Sequence, residues 1–68
     1  MILVFKTTVD TNGKARKLRP HLNELPAAKW NFDLMDCDRI LRVETPENIA
    51  NIIIHTLNKQ GFDCVELD

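Results

Sequence analysis

The sequence lacks several features on which common activities depend. It contains only two cysteines, Cys37 and Cys64, which are 27 positions apart and form no Cys-x-x-Cys pair. Its Asn-Gly-Lys stretch at residues 12–14 has no Gly-x-x-x-x-Gly-Lys-Ser/Thr frame, so no phosphate-binding loop is predicted. No Ser-His-Asp set or pair of catalytic carboxylates can be identified. We therefore predict a protein that is not an enzyme, with no catalytic residues and no cofactor.

A long hydrophobic run is also missing. The apolar opening from Met1 to Phe5 ends at Lys6, which makes it too short for a signal-peptide core or a membrane-spanning helix. We expect a cytoplasmic protein without membrane insertion, in which both cysteines remain reduced. The chain has 68 residues, of which 44% are apolar and 28% charged, and this predicts one globular domain over residues 1–68.

Charge is distributed unevenly along the chain. The net charge is −1, but residues 1–30 contain six basic and two acidic residues, whereas residues 31–68 contain three basic and eight acidic residues. The basic residues concentrate in a run for which we predict contact with phosphate or with an acidic partner: Lys14, Arg16, Lys17 and Arg19. A solvated helix face is the alternative interpretation. No aromatic residue interrupts the run and the isoelectric point is near 6.1, so nucleic acid is not predicted as a partner.

Hydrophobic periodicity predicts a strand over residues 2–8 and then a helix. Leu18, Leu22 and Leu25 follow helical spacing, and Thr11 or Asn12 would serve as the N-cap. Pro20 lies inside this pattern, where it removes one helical hydrogen bond. The helix therefore either continues through Pro20 with a kink or begins near it and leaves residues 13–19 as a basic loop. The register of the leucines favours the kinked helix.

The second half of the chain predicts two strands, a helix and a final strand. Trp30, Phe32 and Leu34 alternate with polar residues, and a second alternating segment covers residues 40–44, so the two form a hairpin. Thr45 is the predicted N-cap of the second helix, with Pro46 at its first position. That helix has an apolar stripe of Ile49, Ile52, Ile53 and Leu57. The last strand contains Phe62, Val65 and Leu67.

The resulting order, β-α-β-β-α-β, predicts an α+β fold of the ferredoxin-like type. With right-handed crossovers it gives a four-stranded antiparallel sheet in the order 4-1-3-2, with both helices on one face. The uncovered face should then mix apolar and charged side chains, and we predict it as a surface for a protein partner or for a homodimer. Its predicted residues are Ile2, Val4, Ile40, Lys6, Asn31, Arg42 and Glu66.

Four stretches of the chain resemble the heavy-metal-associated domain superfamily, the fold of small copper chaperones. The stretches are Ile2-Leu3-Val4-Phe5, Leu22-Asn23-Glu24-Leu25-Pro26, Trp30-Asn31-Phe32-Asp33-Leu34 followed by Ile40-Leu41-Arg42-Val43, and Ile52-Ile53 through Gly61-Phe62. Together they cover nearly the whole chain. The closer likeness is to small stand-alone bacterial proteins of this fold that lack the metal motif.

The resemblance implies a position for a metal site and also predicts its loss. Members that carry metal use a Met-x-Cys-x-x-Cys loop between the first strand and the first helix, and the corresponding positions here are Val9, Thr11 and Lys14. A hydroxyl and an ammonium group cannot replace two thiolates as ligands of soft metal ions. We therefore expect no metal and predict a non-catalytic binding or regulatory domain with a degenerate loop.

The alternative function is metal trafficking with Cys37 and Cys64 as non-standard ligands. In the predicted topology these cysteines belong to opposite edges of the sheet. Three strand spacings of roughly 4.8 Å separate them by about 14 Å, which is too far for a shared metal ion or a disulfide. Each thiol would then bind metal singly or across a dimer.

Overall fold

The computed structural model describes residues 1–25, 29–33 and 39–67. Its elements follow the predicted order: β1 (Ile2–Thr7), α1 (Asn12–Asn23), β2 (Lys29–Asp33), β3 (Ile40–Glu44), α2 (Ala50–Lys59) and β4 (Cys64–Leu67). The strands form one antiparallel sheet in the order β2-β3-β1-β4, which is the predicted order read from the other edge. The α+β class and the four-stranded sheet are therefore confirmed. Leu34 and Cys37 lie outside the described residues.

One face of the sheet shares a single core with both helices. Leu3 and Phe5 of β1 pair with Val43 and Leu41 of β3, and all four side chains are buried. The helices contribute side chains that are fully buried in the same cluster: Leu18 and Leu22 from α1, and Ile53 and Leu57 from α2. Burial of each such side chain stabilises the fold by about 1.5–3 kcal/mol, so this face orients both helices.

Helix α1 is continuous from Asn12 to Asn23 and contains Pro20. Thr11 is its N-cap, and its Oγ1 accepts a hydrogen bond of 3.1 Å from the backbone N–H of Lys14. Pro20 is exposed, so its ring points away from the core, while Leu18 and Leu22 on either side are fully buried. Burial of these two leucines stabilises the helix across the hydrogen bond that Pro20 cannot donate. The alternative in which residues 13–19 form a basic loop is therefore wrong.

The predicted start of α2 is also wrong. Thr45 is buried and does not cap a helix, because its Oγ1 donates to the Glu47 carbonyl at 2.9 Å and accepts from the Glu47 N–H at 3.3 Å. These bonds form a tight turn, and α2 begins only at Ala50. The side chain of Asn48 accepts a hydrogen bond of 3.0 Å from the Ala50 N–H. The start signals at Thr45 and Pro46 thus belong to a turn that precedes the helix.

The predicted apolar stripe of α2 is partly wrong as well. The helix buries Ala50, Ile53 and Leu57, which recur at steps of three and four residues, and Ile54 is half-buried beside them. Ile52 lies off this face and is 51% exposed. A run of three isoleucines at 52–54 cannot all face one side of a helix, since successive residues are about 100° apart.

Strand β4 presents its residues to the opposite faces from those expected. Thr7 pairs with Cys64 and Phe5 pairs with Glu66, so Cys64 and Glu66 lie on the helix side of the sheet. Val65 and Leu67 lie on the open face, where they are 59% and 39% exposed. The prediction of Glu66 on the open face is therefore wrong. A phase shift of one residue exchanges the two faces of a strand.

Candidate functional site

Residues of the loop between β1 and α1, where the resemblance predicts a lost metal site, make contacts within the fold. Val9 is fully buried in the core, and Thr11 caps α1. The Lys14 ammonium lies 2.6 Å from Asp10 Oδ1 in an ion pair. Among the described residues, no group of three or more His, Cys, Asp or Glu side chains is placed to hold a metal ion. The loop thus begins a helix and presents no set of ligands.

The ion pair between Asp10 of this loop and Lys14 of α1 also stabilises the charged form of the Asp10 carboxylate. The hydrogen bond from Lys14 lowers the pKa of Asp10 below its usual value of 3.8, and the nearby Lys14 charge acts in the same direction. Both side chains remain about half exposed, so the pair contributes little to stability. Lys14 was predicted to contact a partner, but its charge is compensated within its own loop.

Cys64 is described by the structure, whereas Cys37 lies outside the described residues. The Cys64 side chain is buried, with 6% of the residue exposed, and burial raises the pKa of its thiol from 9.0 to about 12. At neutral pH this group is a protonated thiol, which is a poor nucleophile and a poor metal ligand because both roles need the thiolate. The one described thiol of the proposed pair therefore serves as a small apolar core residue.

A concave surface lies between α1 and the beginning of β2, and we call it the α1–β2 groove. Its volume is about 660 Å³, and its lining combines three cations with two amides, an alanine and an indole: Arg16, Arg19, Lys29, Asn12, Asn23, Ala15 and Trp30. Arg16 and Arg19 belong to the predicted basic run. Lys14 and Lys17 of the same run do not line the groove.

The helical wall of the groove is a continuous polar face of α1. Asn12, Arg16, Arg19 and Asn23 recur at steps of four, three and four residues, so their side chains project from the same side of the helix. From the first to the last of them the helix rises by about 16 Å, at 1.5 Å per residue. The buried leucines, Leu18 and Leu22, face the core instead. The helix thus presents the guanidinium groups of Arg16 and Arg19 on one polar face.

Trp30 belongs to β2, and its side chain reaches towards α1. It is half-buried, and its Nε1–H donates a hydrogen bond of 3.1 Å to Asn23 Oδ1. Its ring also makes an edge-to-face contact with Phe32, with centroids 5.9 Å apart and planes at 71°. These contacts fix the indole beside the arginines. The alternation with polar residues predicted Trp30 in a strand, which the structure confirms, but it did not indicate the place of Trp30 in the groove.

Within the described residues, the three cations of the groove have no acidic partner. In the part of the chain that the structure describes, no ion pair involves Arg16, Arg19 or Lys29. Like charges that line a concave surface reinforce one another's potential there, because the low-dielectric walls focus the field. Asn12 adds amide hydrogen-bonding capacity beside them. The groove is therefore suited to bind an anionic group, with the indole available as an apolar contact.

The open face of the sheet is a separate surface. Ile2 is 62% exposed on it, and Val4 is half-buried between Arg42 and Leu67. Ile40 belongs to this face by register but is only 5% exposed, and it lies outside the core cluster. The predicted set of partner-binding residues is therefore divided. Ile2 and Val4 lie on the open face, and the arginines lie on the helix side.

Comparisons with known proteins give no relative for this chain. Neither a protein-family model, nor a curated protein, nor a solved structure matches it. The resemblance to the heavy-metal-associated superfamily therefore remains a prediction from the residues. Among the described helices, none has the length and apolar character needed to cross a membrane.

Proposed function

We propose that the protein is a non-catalytic binding domain with a ferredoxin-like fold of the heavy-metal-associated type and a degenerate metal loop. Its binding site for an anionic ligand is the α1–β2 groove. The element order and the strand order support this fold. The cap at Thr11 and the ion pair of Lys14 support the loss of the metal site, since both residues already have structural partners.

One observation carries the proposal: three cations without ion pairs among the described residues converge on one concave surface beside an indole. Arginine recognises carboxylate and phosphate groups through two parallel hydrogen bonds, which are stronger than bonds between neutral groups. Arg16 and Arg19 are held by the same helix, so a ligand with two anionic groups would engage both.

The composition of the groove favours binding over catalysis. Its lining residues are arginine, lysine, asparagine, alanine and tryptophan, with no histidine, carboxylate or thiol among them. General acid–base catalysis needs a group that gains and loses a proton near the working pH. The groove therefore offers fixed positive charge and hydrogen-bond donors, which serve recognition.

Titration with defined anions tests this function. We expect hexaglutamate or tripolyphosphate to shift the NMR signals of Arg16, Arg19 and the indole N–H of Trp30, the single tryptophan of the chain. Arg16→Ala and Arg19→Ala should each weaken binding by about tenfold or more, since a charge-assisted hydrogen bond contributes about 1.5–3 kcal/mol.

Lys17→Ala is the matched control for this titration. It removes the same charge from the same helix, but Lys17 does not line the groove. We expect its affinity for hexaglutamate to stay within about twofold of the unmodified protein, a small electrostatic change that fits an exposed site. An equal loss in Lys17→Ala and Arg16→Ala would mean that only net charge matters, and would contradict a specific site in the groove.

A further inference from the structure

Strand β2 forms one edge of the sheet, and the hydrogen bonds of β3 reveal which of its backbone groups face outward. The Met1 amino group donates to the Thr45 carbonyl at 2.7 Å, and the Thr45 N–H donates to the Met1 carbonyl at 3.0 Å. The Thr7 N–H likewise donates to the Arg39 carbonyl at 3.2 Å. Odd-numbered residues of β3 therefore direct their backbone groups towards β1, and the even-numbered ones direct theirs towards β2.

The register between β2 and β3 completes this assignment. Lys29 pairs with Glu44 and Asn31 pairs with Arg42, so the backbone groups of Lys29 and Asn31 point inward to β3. Those of Trp30 and Phe32 then point outward, where no described strand pairs with them. The side chains of these two residues lie on the helix side of the sheet, which is the side of the groove.

We propose that an extended acidic segment of a partner protein pairs with β2 as a fifth, antiparallel strand, with acidic residues at alternate positions whose carboxylates enter the α1–β2 groove. This inference rests on the proposed function of the groove and names its ligand. Addition of a strand to a sheet edge obtains affinity from main-chain hydrogen bonds and specificity from alternate side chains.

The geometry of strand pairing explains why the acids alternate. Residues directly opposite each other in paired strands share a face, so the residues opposite Trp30 and Phe32 would direct their side chains to the helix side. These two residues lie about 7 Å apart along the added strand. Arg16 and Arg19 are separated by a rise of about 4.5 Å along α1, so two long acidic side chains match two long basic ones. The intervening residue would face the open side, beside Asn31.

The other edge strand of a second copy fits this position less well. The outward backbone groups of β4 are those of Cys64 and Glu66, so antiparallel pairing that sets Glu66 opposite Trp30 sets Cys64 opposite Phe32. In this register the described residues of β4 supply one carboxylate to the groove, where two fit. The same register places Asp63 opposite Asp33, and like charges that face each other across strands are destabilising. A partner segment with two alternating acids avoids both defects.

The probe is an acetylated, amidated peptide, Thr-Val-Glu-Val-Glu-Val-Thr, whose binding to the full chain is followed by Trp30 fluorescence. We expect saturable binding and slowed hydrogen exchange of the Trp30 and Phe32 backbone amides. Replacing both glutamates by glutamine should weaken binding at least tenfold. N-methylation of the two glutamates removes the N–H groups that would donate to β2, and should also weaken binding at least tenfold.

The matched control peptide carries N-methyl groups on the first and last valines, whose N–H groups would point away from β2. Its affinity should stay within about twofold of the parent peptide. Equal affinities of the two methylated peptides would overturn strand addition, while a retained effect of Arg16→Ala on hexaglutamate binding would leave the proposed function intact. Loss of hexaglutamate binding itself would instead refute the function.

Self-association is the outcome that would replace the partner segment by a second copy. Sedimentation of the chain alone, over a hundredfold range of concentration, should show no assembly. Hydrogen exchange over the same range should show no added protection of the Trp30 and Phe32 backbone amides. Assembly that protects these amides and is abolished by Glu66→Ala would assign the β2 edge to β4 of another molecule, and would overturn the proposal.

Discussion

The two edge strands of the sheet, β2 and β4, have different surroundings. At one edge, α2 packs closely against β4, and the Phe62 N–H donates to the Leu57 carbonyl at 2.9 Å where the chain turns from helix to strand. At the other edge, α1 leaves a groove beside β2, lined by Arg16, Arg19 and Trp30. The helix beside an edge strand thus determines whether that strand is a candidate binding site. It sets the space that is left for a second segment and the charged side chains that the segment would contact.

The largest expected effect concerns the packing that positions α1 beside the groove. Leu22 is fully buried, so Leu22→Ala should reduce the free energy of unfolding by about 2–5 kcal/mol. The matched control is Ile52→Ala on α2, where the side chain is 51% exposed and the expected loss is about 0.5 kcal/mol. Urea unfolding of both variants measures the difference, and comparable losses would contradict the assignment of Ile52 to the surface.

The next effect concerns the β4 edge and appears at alkaline pH. Burial raises the pKa of Cys64 above its ordinary value, so its contribution to stability is fully present below about pH 9 and is lost as pH rises towards 12. Stability should fall by up to about 1.4 kcal/mol per pH unit in that window, because the unfolded chain releases the proton first. Urea unfolding at pH 8, 9 and 10 measures the slope.

Cys64→Ala provides the control for that slope. The variant retains every other titrating group of the chain, so the difference between the two pH curves isolates the buried thiol. We expect the difference in the free energy of unfolding between the unmodified protein and Cys64→Ala to decrease steadily above pH 9. Parallel curves would show that Cys64 ionises as easily in the folded protein as in the unfolded one, and that β4 is less tightly covered than the structure indicates.

The smallest effect concerns the first turn of α1, at the start of the groove wall. Thr11→Ala removes the oxygen that accepts from the Lys14 N–H and should cost about 1 kcal/mol of stability. Thr11→Ser retains that oxygen and should differ from the unmodified protein by a few tenths of a kcal/mol. Thermal unfolding of the two variants distinguishes the cap from a general effect of substitution, which would destabilise both equally.

The sequence predicted those parts of the fold that local periodicity determines. Leu3 and Phe5 in β1 and Leu41 and Val43 in β3 alternate cleanly, so both the strands and their buried faces were correct. Strand β4 has only four residues, which leaves its phase open, and the buried Cys64 carries no strong apolar signal. The wrong face followed from that ambiguity.

The groove could not be predicted in full, because it joins residues that are distant in the sequence. Arg16 and Trp30 are separated by 14 positions, and only the packing of α1 over the sheet brings both to one surface. A partial signal was present in the polar stripe at positions 12, 16, 19 and 23. The sequence predicted the basic run as a partner surface but could not distinguish Arg16 and Arg19 from Lys14 and Lys17, since that division depends on helix orientation.

The cap at Thr11 and the ion pair of Lys14 also constrain how this chain can change by mutation. A thiol at position 11 would remove the oxygen that begins α1, and a thiol at position 14 would release the Asp10 carboxylate from its partner. The first step weakens the helix start and the second leaves Asp10 without its partner, before a second thiol is present to gain from metal. Both changes would have to occur together, so a single substitution towards a thiolate site loses a structural contact without gaining a metal.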